Sequence, residues 1–307
     1  MFGYSGKLKG AALMVTACVF FCVMASLVKL VTHVDGFMIG LWRFVIGMGL
    51  LGAMAILGVI RLKFHNWRLL CVRGLLGGAG VVIMYFAIVN LGVSKGMVLV
   101  STYPIFAYIF SMTLLKERPS LASALLIVAA FAGICLVVGG NNGITSIFEG
   151  FGLYEILALS VGVIGGVVIV TIRKLHETDS SYAIYFSQCA IGFAIAVVPA
   201  NAASGGIDFA DCLVLALIGV TATVGQLMMT QSYKHLPVRM GATLAMLEPV
   251  FCYLAGVVLF GELLSANSIM GTVLIIGSCV IVLLIREGPE DIATKVVERT
   301  ELAEQWR

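Results

Sequence analysis

The sequence predicts an all-α membrane protein of ten transmembrane helices, arranged as two inverted five-helix repeats. Three observations carry that prediction. The first is composition: of 307 residues, 61% are hydrophobic and only 11% charged, and the mean hydropathy is +1.09. Soluble domains are roughly half apolar and about a quarter charged, so this chain needs the bilayer as its solvent. The second is a series of apolar stretches long enough to cross ~30 Å of hydrocarbon, which takes ~20 helical residues each. The third is a residue pattern that recurs at a spacing of 145 positions.

The stretches lie at about 10–31, 37–59, 69–90, 95–115, 121–140, 151–172, 181–200, 211–233, 239–260 and 266–285. Lys7 and Lys9 precede the first in the manner of a signal peptide, but its apolar core is too long and no small-residue cleavage site follows. It reads as a retained helix. Basic residues mark alternate connections: Arg61, Lys63 and Arg68, then Lys116 and Arg118, Arg173 and Lys174, and Lys234 and Arg239. Segments 141–150 and 201–210 carry none, and Lys29 and Lys95 stand near the other face. The positive-inside rule then predicts a multi-pass protein of the cytoplasmic membrane with both termini cytoplasmic, which an even span count allows.

The repeat pairs Gly74, Gly80, Met84, Gly96, Pro104, Tyr108, Glu117 and Ser120 with Gly219, Gly225, Met229, Gly241, Pro249, Tyr253, Glu262 and Ser265. It divides the chain into a first repeat at 8–140, a second at 151–286 and a tail at 287–307. Five spans per repeat is odd, so the halves cross the membrane in opposite senses. That is the inverted-repeat design of secondary transporters. The eight cysteines form no CxxC pair and have no ligand partners at metal spacing, so they read as small core residues; no metal or cofactor is expected. The net charge of +3 implies no nucleic-acid partner.

These stretches also carry a family resemblance. "RGLLGGAGVVIMYFAI", "SKGMVLVSTYPIFAYIFSMTLLKERPS" and "GATLAMLEPVFCYLAGVVLFGELLS" resemble helices of the drug/metabolite transporter superfamily, in proteins built from two EamA domains. The likeness covers residues 8–286. The first helix, ending in Lys29, and the following Arg43 are similar to the subgroup of S-adenosylmethionine importers. The resemblance implies ten helices around a central cavity that opens alternately to each side.

Candidate site residues follow from the cost of polarity in lipid. A carboxylate in mid-span costs ~2.5–3.5 kcal/mol on insertion scales, so Glu248 in "LAMLEPVF" should face a cavity or a partner. It suits a proton carrier or a receptor for a cationic group; a structural pairing with an arginine is the alternative. Its repeat mate is Tyr103, and Pro104 and Pro249 disrupt both helices, freeing carbonyls beside them. Arg43 suits a substrate carboxylate, or else pairs with Glu248 or Glu155. Glu155 is explained by the dipole of the helix it begins. On the eighth span Gly219, Thr223, Gln226, Thr230 and Tyr233 share a face, and Tyr85 is the polar residue of the equivalent face in the third. Glu117 and Glu262 read as turn fixtures, with Ser120 and Ser265 capping the next helices.

No GxxxxGK[ST] phosphate loop exists, which excludes primary pumping by this chain alone. The expected function is secondary transport of a small organic metabolite, an amino acid or another zwitterionic or cationic solute such as S-adenosylmethionine. Its expected partners are the lipid bilayer, that solute and protons, with a monomer or homodimer as the working unit. A passive channel is the rival reading. A membrane enzyme is less favoured, since no nucleophile–base pair stands out.

Overall fold

The structure is a computed structural model that describes residues 4–91, 93–117, 120–139, 152–202, 207–261 and 265–284. The 287–307 tail and Glu262 lie outside the described residues. The described chain is helical throughout: α1 (Tyr4–Val28), α2 (Gly36–Ile56), α3 (Trp67–Leu91), α4 (Val93–Val100), α5 (Tyr103–Leu114), α6 (Leu121–Gly139), α7 (Leu153–Leu175), α8 (Ser181–Ala202), α9 (Phe209–His235), α10 (Val238–Ala245), α11 (Leu247–Phe260) and α12 (Ala266–Leu284). In lipid every backbone group must be satisfied within its own segment, and only helices do that without a closed sheet.

Nine segments among the described residues are long and apolar enough to cross a membrane. The stretch expected at 95–115 differs, because it is two short helices, α4 and α5, with only a shorter apolar segment at Val98–Leu114. The stretch expected at 239–260 is likewise broken, into α10 and α11. The physical reason is shared. Pro104 and Pro249 stand in the first turns of α5 and α11, where a missing N–H costs nothing, and the preceding helix ends one turn upstream.

Side-chain caps set other starts. The Asp35 carboxylate accepts from Phe37 N at 2.7 Å to open α2. Glu155 Oε2 accepts from Gly152 N at 2.9 Å ahead of α7, and Asp211 Oδ2 accepts from Asp208 N at 3.1 Å ahead of α9.

Contacts recur at the 145-residue spacing. Tyr108 Oη accepts from Ser120 N at 2.8 Å, and Tyr253 Oη from Ser265 N at 3.2 Å. Ser120 and Ser265 in turn accept from Ser123 N and Ser268 N to cap α6 and α12. The chain leaves α5 through Lys116 at φ +52° and α11 through Gly261 at φ +67°, equivalent positions with the same left-handed turn. Helices repeat the pattern where glycines let them touch. Gly74 lies against Ile191 and Gly219 against Ile46; Gly78 lies against Gly192 and Gly47 against Thr223; Gly192 lies against Phe44 and Gly47 against Cys189. Thus α2 packs on α8 and α9, while α8 packs on α2 and α3. α6 and α12 pair separately, with Gly133 against Gly271.

The connections gather at two ends. At one, His65 N donates to Asp179 at 2.7 Å, Arg173 Nη1 to Tyr233 O at 2.8 Å, Ser232 Oγ to Gly10 O at 2.7 Å and Val238 N to Glu117 Oε1 at 3.2 Å. Lys7, Lys9, Arg61, Lys63, Arg68, Lys116, Arg173, Lys174, Lys234 and Arg239 all belong to this basic end. At the other, His33 meets Asp211 at 3.0 Å, and the rings of Phe37, Phe86 and Tyr154 follow one another at 6.0 and 5.8 Å.

A Cβ on Gly271 would fall 2.5 Å from the Gly133 carbonyl oxygen, whereas one on Gly277 meets nothing within 4 Å. Gly271→Leu is therefore expected to destabilise by about 1–3 kcal/mol and to lower the melting temperature in detergent. Gly277→Leu should leave it unchanged, and equal shifts would contradict this packing.

Candidate functional site

Two polar groups of residues meet inside the bundle. The first surrounds the breaks. Glu248, in the first turn of α11, lies within electrostatic reach of Tyr103 at the start of α5 and of Cys18 and Cys22 on α1. Glu248 and Tyr103 are half-buried rather than sealed, although they sit among helices. They stand where α1 meets α11 and α5 meets α10. Cys18 Sγ points at the carbonyls of Leu244 and Ala245, where α10 ends, at 3.8 and 3.7 Å. A proline-broken helix thus supplies the carboxylate and frees carbonyls next to it.

The second group centres on Arg43, buried on α2. Its Nη2 donates to Gln226 Oε1 on α9 at 3.1 Å, so its hydrogen bond goes to a neutral amide rather than to Glu248 or Glu155. Glu248 is nonetheless within its electrostatic reach, which joins the two groups. Tyr85 on α3 faces Arg43, with its buried hydroxyl directed at that guanidinium. Above Tyr85 a cavity of about 100 Å³, lined by Asp35, Gly36, Phe37, Phe86 and Asn90, leads to the end opposite the basic one. Tyr185 Oη on α8 lies 3.3 Å from Thr223 Oγ1, closing the group on the side of α9.

Five of the six sequence candidates, Glu248, Tyr103, Arg43, Tyr85 and Gln226, are brought together in this way. Thr230 is not: its hydroxyl donates to Gln226 O at 2.7 Å within α9, and its carbonyl accepts from His176 Nε2 at 2.7 Å. The polar face of α9 spends this threonine on its own helix and on α7.

Two residues escaped the sequence reading. Arg73 on α3 is 1% exposed, and its Nη2 donates to Gln188 Oε1 on α8 at 2.8 Å. Arg73 stands two turns inside its span, where a long cation is expected to snorkel to the surface. The signal for Gln188 was available, since it stands 145 positions after Arg43. Each arginine also leaves buried N–H groups without acceptors among the described residues: Nε of Arg43, and Nε and Nη1 of Arg73. An unsatisfied buried donor costs roughly 1–3 kcal/mol.

The profile of the EamA-like transporter family matches residues 8–139 and again 152–284. The chain belongs to that family. Among relatives of the family, the pseudopaline exporter CntI of Pseudomonas aeruginosa is 26% identical over 288 residues, covering 91% of this chain and 97% of that protein. An uncharacterized transporter of Helicobacter pylori is 24% identical, covering 72% of this chain and 75% of its own. Solute carrier family 35 member G1 of Mus musculus is 22% identical, covering 62% and 55%. A solved crystal structure superposes with a TM-score of 0.78 over 90% of this chain and 96% of that one, at 18% identity, which shows a shared fold. The protein is thus a multi-pass membrane protein of a transporter family, within the drug/metabolite superfamily.

His176, just past α7, holds the basic end of α9 through its bond to the Thr230 carbonyl. Burial pushes its pKa down to about 4; the bond to Thr230 opposes this, while Arg173, Lys234 and His235 add to it. The unfolded imidazole titrates near ~6.5, so above that pH both states are neutral and stability is complete. As pH falls from ~6.5 toward 4 the unfolded state takes up the proton first, and stability drops by up to roughly 3 kcal/mol. Melting curves in detergent from pH 7.5 to pH 4.5 should show this decline, with a shallower one for His176→Gln. Superimposable curves would contradict the assignment.

Proposed function

We propose that this protein is a secondary transporter that moves a small organic solute across the cytoplasmic membrane by alternating access. The halves 8–140 and 151–286 are five-helix repeats of opposite orientation, which rock about the Glu248–Arg43 region. The observation that carries this reading is the placement of a half-buried carboxylate and a buried guanidinium between helices of both halves. α2, α3 and α5 come from the first, and α8, α9 and α11 from the second. Such charges are costly in a membrane interior and belong where a solute or ion is handled. The recurrence of the Tyr–Ser bonds and glycine contacts at one spacing supports the duplication. The gathering of basic residues at one end supports cytoplasmic termini.

Paired acidic and basic groups suit an amino acid or another zwitterionic or cationic solute, S-adenosylmethionine among them. Glu248 receives the cationic group or exchanges a proton; Arg43, Tyr85 and Gln226 receive the polar remainder. Tyr103 closes the space beside Pro104, and the carbonyls freed near Pro104 and Pro249 complete the contacts. A relative named as an exporter supports solute movement rather than catalysis.

Counterflow into proteoliposomes, with a panel of amino acids, amines, nucleosides and S-adenosylmethionine, tests the reading. Saturable exchange of one solute class is expected, and Glu248→Gln should abolish its uptake or its pH dependence. Single-channel currents without saturable exchange would overturn the carrier. A wild-type rate and pH profile in Glu248→Gln would leave Glu248 a structural role only.

A further inference from the structure

Arg73 is a cation sealed into the seam between α3 and α8, with no acid bonded to it among the described residues. One of its nitrogens donates to the neutral Gln188 side chain at 2.8 Å, and two others have no acceptor among the described residues. Its electrostatic neighbours are Cys189, Tyr185 and the second buried guanidinium, Arg43. None of them carries a neutralising negative charge. Among the acids at hand, Glu248 faces Arg43, Asp179 is held by the His65 and Asn66 amides, and Asp211 is held by His33 and Asp208 N. Among the described residues, Arg43 and Arg73 are the buried cations, and no carboxylate hydrogen-bonds to Arg73.

The seat is built for that guanidinium. A Cβ at Gly77 would collide with Arg73 Nη1, so only glycine leaves the place open. Gln188 Nε2 donates to Gly77 O at 3.3 Å, which turns its amide oxygen toward the arginine. A seam meant only to hold two helices together needs no charge, because an apolar pair of the same size packs without the desolvation cost. Position adds to the argument. Arg43 lies seven residues into α2 and Arg73 six residues into α3, about 10 Å and 9 Å from opposite ends of the bundle, and both flank Tyr185 and Cys189.

We propose that Arg73 and Arg43 form a two-station subsite for an oxyanion, a carboxylate of the transported solute, and that Arg73 is the station nearer the basic end. This rests on the transport reading above. The α3–α8 seam joins the two halves, so its opening admits the anion to Arg73, and its closing leaves the guanidinium sealed on Gln188. An arginine supplies several N–H donors at fixed angles for a carboxylate, and the nitrogens left without acceptors are the ones an oxyanion satisfies.

Thermal unfolding of the detergent-purified protein tests the site without a known substrate. At pH 7 and matched ionic strength, the probes are L-glutamate, citrate and inorganic phosphate, with chloride and L-lysine hydrochloride as controls. A saturable rise in melting temperature with glutamate or citrate is expected beyond that given by chloride. Arg73→Gln should abolish it, and Arg73→Lys should retain part of it. Gln188→Glu places a carboxylate against Arg73, so it should raise the melting temperature without ligand and remove the response to anions. No response in the wild type, a response equal to that of chloride, a response to phosphate alone, or an unchanged response in Arg73→Gln and Gln188→Glu would each overturn the proposal. Counterflow separates the two readings. If exchange occurs and Arg73→Gln leaves KM for every carboxylate-bearing solute unchanged, the subsite falls and transport stands. A KM raised at least tenfold, with kcat less affected, supports it. If no solute exchanges but the anion response persists, transport falls and the site stands.

Discussion

Inside a bilayer a polar group has no water to turn to, and this protein answers that constraint at the seams between its halves. Arg43 on α2 is held by Gln226 on α9, and Arg73 on α3 by Gln188 on α8. Both bonds cross from the first half of the chain to the second, and both set a full charge against a neutral amide. The glycines around them make this possible. Gly47, Gly74, Gly78, Gly192 and Gly219 bring the helices close enough for side chains to reach across, and Gly77 clears the space that Arg73 fills. Close packing and imbalance of charge therefore arise at the same surface. The seams hold the halves together, yet leave buried N–H donors without acceptors among the described residues.

The broken helices meet the same constraint from the backbone side. A continuous helix hides its carbonyls, whereas a helix interrupted before Pro104 or Pro249 releases some of them. Glu248 and Tyr103 stand at those interruptions, and the carbonyls of Leu244 and Ala245 lie beside them facing Cys18. Irregular backbone at this depth is tolerated where it borders protein or an internal space, and Glu248 and Tyr103 stand among packed helices.

Much of this was legible in the sequence because the bilayer leaves few solutions. Apolar length located the helices, the basic residues located one end, and Pro104 with Pro249 located the breaks. Glu248 and Arg43 stood out as charges too deep to reach water, Tyr103 as the repeat mate of Glu248, and Gln226 and Tyr85 as members of polar helical faces. Arg73 was missed for the converse reason: a long cation near a helix end is ordinarily a snorkelling residue, and only its burial under α8 shows otherwise. Gln188 carries no charge to draw attention, although its place opposite Arg43 in the repeat was available. Thr230 shares the face of Gln226, but periodicity does not give the hydrogen bond, which this hydroxyl makes to its own helix. Hydropathy alone does not report the split of the fourth stretch into α4 and α5; Pro104, one turn past the end of α4, is the residue that signals it.

The central claim is that the two halves move against each other, so that one end opens as the other closes. Pulsed electron–electron distance measurements on spin labels in lipid nanodiscs address it directly. One pair at Lys63 and Lys234 would report the basic end, and another at Thr32 and Asn90 the opposite end. The account predicts two distance populations at each end, with the longer one at the basic end rising in step with the shorter one at the other as pH or citrate is varied. A single narrow distance at both ends, unmoved by either, would contradict it.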